Sequence, residues 1–226
     1  MKSSIVIYED CMRGMKYFPD KYFDLAITDP PYGINVAEMA YTRALKNKKT
    51  AYSQKSWDEK PPSQTYYNEL CRVSKEQIVF GIDYMEWQGV GPGRIKWNKG
   101  VPECLSFKRH EMLYCSMINE TIELPLLWSG MMQAKSLSEP MTLQGNTKKR
   151  EKRIHPTQKP RLLYKRLLLD YARKGQRIID THVGSGSLRI EALEYGCNFI
   201  GFENDWEYWQ RQEKRFHDHI LQLKLF

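Results

Sequence analysis

The sequence predicts a doubly wound α/β fold, with a mostly parallel sheet and helices on both faces. Three observations predict it. Short apolar runs rich in β-branched and aromatic residues recur along the 226 residues with little polar alternation, as in strands covered on both sides. Stretches of helical apolar spacing lie between them, the rhythm of strand–helix–strand units. One strand also runs into a glycine-rich turn, "DTHVGSGS", before a helix, and open α/β sheets present ligand sites at such turns.

Taken in order, "SIVIY" (residues 4–8) reads as a first strand, "FDLAITD" (23–29) as a second and "EQIVFGI" (76–82) as a third. "RIKW" (94–97) and "MLYCSM" (112–117) are weaker candidates. "QRIID" (176–180) and "NFIGFE" (198–203) complete the set. Among the helices, residues 62–74 place Tyr66, Leu70 and Val73 at helical spacing. Residues 160–173 begin at Pro160, carry Leu163, Leu167 and Tyr171 on one face and are followed by Gly175, a start and a stop in the expected places. "SLRIEALEYG" ends at Gly196, and a last helix runs through 205–216.

Two polar stretches break the rhythm: residues 35–61 and 129–153. Long loops inside a compact domain are usually functional or mobile. The expected organisation is therefore one domain over 1–226, with a mobile loop at 35–61 and a small recognition insertion at 129–153.

Composition excludes several classes. Hydrophobic residues make up 41% and charged residues 27%, an ordinary globular balance. No apolar run is long enough for a membrane span, and "MKSSIVIYED" lacks the apolar core of a signal peptide, so a cytoplasmic protein is expected. Five cysteines without a C-x-x-C pair read as free thiols, and the histidines show no zinc spacing. The net charge of +8 favours a polyanionic partner. It is concentrated in "RALKNKK" (43–49) and "KKREKR" (148–153). Arg43, Lys46, Lys48, Lys49, Lys148, Lys149 and Arg150 are the candidate phosphate contacts, although any single lysine could equally be a solvated surface group.

Three segments carry chemistry. In "DPPYGI", residues 29–34, two prolines stop a buried strand just after an acid. Proline fixes its own φ and gives no N–H to a sheet, so the chain makes a rigid turn that presents Asp29, Pro30, Pro31 and Tyr32 together. In the second segment a strand ends at Asp180, a turn carries Gly184 and Gly186, and the next strand ends at Glu203. Glycines let a ligand approach the backbone, and a terminal acid accepts hydrogen bonds from ribose hydroxyls; together they read as a nucleoside site. Arg189 stands where a dinucleotide motif has its third glycine, which argues against a pyrophosphate. The third segment, "HPTQKP" (155–160), sets Thr157, Gln158 and Lys159 before a helix N-terminus, where a carboxylate is welcome.

"TDPPYG", "RIHPTQKP", "DTHVGSGS" and "FIGFE", in that order, resemble the β-group of amino methyltransferases that act on DNA bases. The resemblance covers most of the chain and matches its middle third poorly. It implies a Rossmann-like fold with circularly permuted motif order, S-adenosylmethionine as cofactor, no metal, double-stranded DNA as partner and a flipped target base; it admits a homodimer. The shortness of the chain fits a solitary enzyme of the kind phages and prophages carry.

The resemblance also assigns roles. An exocyclic amine is a poor nucleophile because its lone pair is delocalised into the ring. Asp29 would accept one N–H and the Pro30 carbonyl the other, exposing that lone pair. The two prolines hold the carbonyl still, a form of preorganisation, and Tyr32 would stack on the base. Asp29, Asp180, His182, Gly184, Ser185 and Gly186 would border the methionine part of the cofactor, with Thr157 and Lys159 near its carboxylate and Glu203 on its ribose. Asp10 and the Cys11 backbone would meet its adenine, although Asp10 reads equally well as a helix N-cap. His182 replaces a phenylalanine common in the group, and "GIDYM" (81–85) replaces a "GGNYF"-like segment. Aspartate before "PPY" goes with adenine N6 in this group and serine with cytosine N4, so adenine is expected, with cytosine as the alternative. Glutamine methylation in a protein fits less well, since that class carries asparagine there and is not permuted. A non-catalytic DNA-binding relative is a further alternative, disfavoured by the intact 29–32 segment.

Overall fold

The computed structural model of the chain describes residues 3–35, 58–102 and 108–223. Its strands are β1 (Ser4–Tyr8), β2 (Phe23–Thr28), β3 (Ser74–Phe80), β4 (Arg94–Asn98), β5 (His110–Cys115), β6 (Thr121–Pro125), β7 (Trp128–Ser129), β8 (Met132–Gln133), β9 (Arg177–Asp180) and β10 (Asn198–Glu203). Its α-helices are α1 (Cys11–Gly14), α2 (Gln64–Val73), α3 (Arg161–Tyr171), α4 (Ser187–Tyr195) and α5 (Trp206–Leu223). Eight strands form one sheet in the order β1-β10-β9-β2-β3-β5-β4-β6. The first five in that order are parallel to one another. β5 runs antiparallel to both β3 and β4, and β6 is parallel to β4.

Burial follows from the strand period of two. Ile27, Ile78, Phe80, Ile178 and Phe199 pack on one face with Leu163, Leu167 and Leu188 of α3 and α4. Ala26, Val79, Ile179 and Phe202 pack on the other with Tyr66 and Leu70 of α2 and Met15 beyond α1. Helices therefore cover both faces, as the doubly wound reading requires.

The order reverses at β9 and β2. From β9 the chain crosses through α4 to β10 on one side; from β2 it reaches β3 through α2 on the other. The carboxyl ends of these two neighbours thus flank a topological switch point, where open α/β sheets bind ligands. Thr28, the last residue of β2, and Thr181, the first after β9, join hydroxyls at 2.6 Å, and the Tyr66 hydroxyl meets Thr181 at 2.6 Å.

Several elements differ from expectation. The third strand starts earlier, directly after α2, and stops at Phe80 because Gly81 takes φ +68°. The last helix extends to Leu223. α1 and strands β6, β7 and β8 are additional. The 129–153 stretch is not a featureless loop. Gly130, at φ +55°, turns β7 into β8, and Gln133 exchanges two hydrogen bonds with the Glu151 backbone, at 2.9 and 2.7 Å. Most of the expected mobile loop at 35–61 lies outside the described residues, including Arg43, Lys46, Lys48 and Lys49. Among the described residues no helix is long and apolar enough to cross a membrane.

Candidate active site

β2 ends at Thr28, and the rigid 29–32 turn follows it across the switch point. Asp58 ties this turn down: its Oδ1 accepts the N–H groups of Tyr32 at 2.7 Å and Gly33 at 2.9 Å. The Tyr32 ring stacks on Tyr84, with centroids 5.0 Å apart and planes at 9°. Its hydroxyl lies 2.5 Å from Asp29 Oδ1 and 2.7 Å from Glu111 Oε1. The Lys159 ammonium lies 2.7 Å from Asp29 Oδ2 and 3.0 Å from Glu111 Oε1. Lys99 pairs with the other oxygen of Glu111. Two carboxylates, two ammonium groups and one phenol thus close a balanced cluster.

The two carboxylates are not equivalent. Burial pushes Asp29 up; Lys159 opposes this, Glu111 adds to it, and the net direction is upward. Burial acts on Glu111 as well, but Lys159 and Lys99 together outweigh it and hold Glu111 well below the usual carboxylate range. Asp29 is therefore the more easily protonated of the pair. The difference follows from the count of cations: Glu111 touches two and Asp29 one.

Across the switch point lies the glycine turn. Glu203 folds back over it, its Oε2 accepting the Gly184 N–H at 2.8 Å and its Oε1 the Asp205 N–H at 2.9 Å. Burial lifts Glu203 to about 7. Asp180 is buried with its Oδ1 on the His182 N–H at 3.0 Å. Burial, then the charges of Asp29 and Glu203, lift it to about 8 against that hydrogen bond. His182 stays neutral, since burial lowers it to about 4; its ring sits between Thr181 at 2.9 Å and the Cys11 sulfur at 4.0 Å. His155 is likewise neutral, lowered to about 3 by burial and then by Lys159, and its Nδ1 accepts the Thr157 N–H at 3.3 Å. Ser185 is buried, with its hydroxyl 3.1 Å from that of Ser187.

A cavity of about 160 Å³ joins the two halves. Asp29, Pro31, Thr157, Lys159, His182, Gly184, Ser185 and Glu203 all line it, with Tyr208 and Asp205. Pro30, Tyr32, Asp10, Cys11, Asp180 and Gly186 do not. Exposed Asp10 caps α1, accepting the Arg13 N–H at 3.1 Å, and buried Cys11 backs His182. Gly186 caps the start of α4 at φ +72°, and a Cβ there would come within 3.3 Å of Gln212, so the left-handed backbone and the packing against α5 favour a glycine irrespective of a ligand. The resemblance puts Lys159 near a cofactor carboxylate; in the structure its ammonium bridges Asp29 and Glu111. Lys148 and Lys149 lie on an exposed 3-10 turn with Arg150 just after it. Lys149 and Arg150 line a second, larger cleft of about 850 Å³ beside α3 and α5.

Sequence reading missed Glu111, Lys99, Asp58 and Tyr84. For Glu111 a signal existed: an acid inside the apolar run "HEMLYC" must find a partner once buried. Asp58 carries no such signal, because a lone aspartate in a polar stretch is unremarkable.

A family model described as DNA methylase, N6_N4_Mtase, matches residues 97–214, more than half of the chain. The chain belongs to this family. The match takes in Glu111, "HPTQKP", the glycine turn and Glu203. Asp29 lies N-terminal to it and joins those residues through the β2–β9 pairing. The methylase is similar to the type II methyltransferase M.HpaI of Haemophilus parainfluenzae, 22% identical over 93% of this chain and 73% of that one. It is also similar to the type II methyltransferase M2.MboI of Moraxella bovis, 22% identical over 96% and 89%. Among solved structures, an M1.HpyAVI–SAM complex aligns with a TM-score of 0.54 at 18% identity, over 95% of this chain and 98% of that one. The PvuII DNA methyltransferase, described as cytosine-N4-specific, aligns with a TM-score of 0.57 at 12% identity, over 96% and 87%. These alignments establish the Rossmann-like methyltransferase fold.

Proposed function

We propose that this DNA methylase transfers a methyl group from S-adenosylmethionine to the exocyclic N6 amine of adenine in double-stranded DNA. One observation carries the reading: Asp29 and the glycine turn line the same cavity at the switch point. A methyl group passes directly between donor and acceptor, so both must meet in one space.

The residues present fit the cofactor in kind. Glu203 borders the cavity beside the turn; burial raises Asp29, Asp180 and Glu203, and the charges of Asp29 and Glu203 raise Asp180 further. A crowd of buried carboxyl groups favours a cationic ligand, which relieves their repulsion. The cavity is smaller than the roughly 300–1,000 Å³ usual for small-molecule sites, so lining side chains must adjust for a nucleoside. When bound, S-adenosylmethionine supplies a methyl group activated on sulfonium. The protein's part is to position and polarise. Asp29 accepts one amine N–H, the Pro30 carbonyl accepts the second, and the nitrogen lone pair turns towards the methyl group. Tyr32, packed on Tyr84, borders the flipped base.

DNA affinity would come from the basic stretches. Lys148, Lys149 and Arg150 stand in the segment leading to "HPTQKP" and so to the catalytic corner; with Arg43, Lys46, Lys48 and Lys49 they would hold phosphates on either side of the flipped base. Aspartate at position 29 supports adenine over cytosine. Sequencing that detects modified bases, on DNA from cells expressing the chain, tests the proposal. N6-methyladenine at a fixed sequence is expected. N4-methylcytosine would overturn the choice of base, and unmodified DNA would favour a non-catalytic binding module.

A further inference from the structure

Both oxygens of Asp29 are engaged: Oδ1 by the Tyr32 hydroxyl at 2.5 Å and Oδ2 by Lys159 at 2.7 Å. Each oxygen keeps a further lone pair, but a carboxylate paired with an ammonium and a phenol is a weaker acceptor for an incoming amine than a free one. Yet each of its partners also lies within reach of Glu111, at 2.7 Å for Tyr32 and 3.0 Å for Lys159. Tyr32 has one proton and can donate to one carboxylate at a time. Lys159 has three and can pivot between them. Glu111 itself cannot leave, being buried on β5 and fastened by Lys99.

We infer that Glu111 is a positioning residue that receives the Tyr32 hydroxyl and the Lys159 ammonium when the target amine reaches Asp29, so that Asp29 is released as acceptor. The inference rests on the reading of Asp29 as the group that takes the amine N–H. Only hydrogen bonds are exchanged; the phenol keeps its proton and Lys159 keeps its charge. Lys99 has a part as well, because its charge keeps Glu111 anionic without touching Asp29.

Other ionisable groups face this cluster. Tyr164 approaches from α3, Asp180 from β9 and His155 from the segment before α3. Asp29 and Glu111 are the two carboxylates that both the Tyr32 hydroxyl and the Lys159 ammonium touch.

The test is the single-turnover rate of methyl transfer as a function of pH, which excludes product release. Asp29 must be ionised to accept, so the rate rises with pH through its titration. Glu111→Gln removes a negative neighbour that raises Asp29 and weakens the berth, because an amide oxygen still accepts the phenol but no longer forms an ion pair with Lys159. The rate should fall about tenfold, and the acidic limb should move to lower pH by about one unit, the size of a close charge effect. Lys99→Met strips Glu111 of its compensating cation, and its limb should move to higher pH. Glu111→Asp, which keeps the charge, should recover part of the rate with the limb near its original place. A folded Glu111→Gln with an unmoved limb would overturn the inference and leave Glu111 a structural residue. Should Glu111→Gln not fold, an unmoved limb in Lys99→Met overturns it equally. Asp29→Asn in the same assay separates the two claims: if it retains the full rate, the reading of Asp29 fails, whereas an inactive Asp29→Asn with unmoved limbs in the other variants defeats the role of Glu111 alone.

Discussion

Tyr32 owes its place to a glycine. A Cβ on Gly81 would lie 2.2 Å from the Tyr32 ring, and the backbone there has φ +68°. Left-handed backbone costs a residue with a Cβ about 1–2 kcal/mol, and the displaced ring adds to this. Gly81→Ala should therefore lower the melting temperature and also reduce methyl transfer, because the ring carries the hydroxyl that sits on Asp29 and Glu111. Thermal unfolding read alongside the single-turnover rate checks both effects; loss of one without the other would separate packing from position. Glu203 is the second decisive residue. Its two oxygens hold the backbone of the glycine turn and of Asp205, and charge-assisted hydrogen bonds are worth about 1.5–3 kcal/mol each. Glu203→Ala should cost at least about tenfold in S-adenosylmethionine affinity by calorimetry. An unchanged dissociation constant would place the nucleoside elsewhere.

At the scale of elements, legibility in the sequence followed the length and apolar character of a run more than its burial, since β1 is an edge strand with only Val6 buried. β10 and β1 match their predicted runs residue for residue, and β2 loses only Asp29, which the prolines pull out of the ladder. β6, β7 and β8 were illegible. β6 is an edge strand ending in Pro125 with an exposed pattern, and β7 and β8 have two residues each; so little sequence carries no period. The site divides in the same way. The parts on one continuous segment, residues 29–32 and 180–186, could be read directly. Glu111 and Lys99 reach Asp29 only because β5 reverses direction beside β3, and no local spacing encodes that. Arg189 shows how context settles a doubtful position. In the place of a third glycine it turns to α5, bonding Gln212 at 2.8 Å and Glu213 at 2.7 Å. The end of β9 also has a pH signature. The folded pKa of Asp180, about 8, stands above the ordinary aspartate value of about 4. Its contribution to stability is complete below the unfolded value and is lost as pH rises through the folded one. Without ligand, the protein should thus lose stability as pH rises between about 4 and 8, and Asp180→Asn should flatten that slope in denaturant titrations. An equal slope in the variant would mean that Asp180 is ionised in the fold.

For the whole molecule, the net charge of +8 suits a polyanionic partner, and the proposed phosphate contacts can be tested directly. Converting Lys148, Lys149 and Arg150 to glutamine together should weaken binding to all DNA sequences alike. Each lost phosphate contact flattens the logarithmic salt slope by about 0.9. The methylated site should stay the same, since phosphate contacts carry no base identity. A changed site would make this stretch a reader of base edges, and unchanged binding would remove it from the interface. The central claim concerns the amine and its acceptor. Its most direct test is incubation of unmethylated DNA with the purified protein and labelled S-adenosylmethionine, followed by nucleoside analysis, for the native chain and for Asp29→Ala. The account predicts N6-methyladenine from the native chain and none from Asp29→Ala, with cofactor affinity nearly intact in the variant. Label on a ring carbon, or on the amine in equal amount without Asp29, would contradict it.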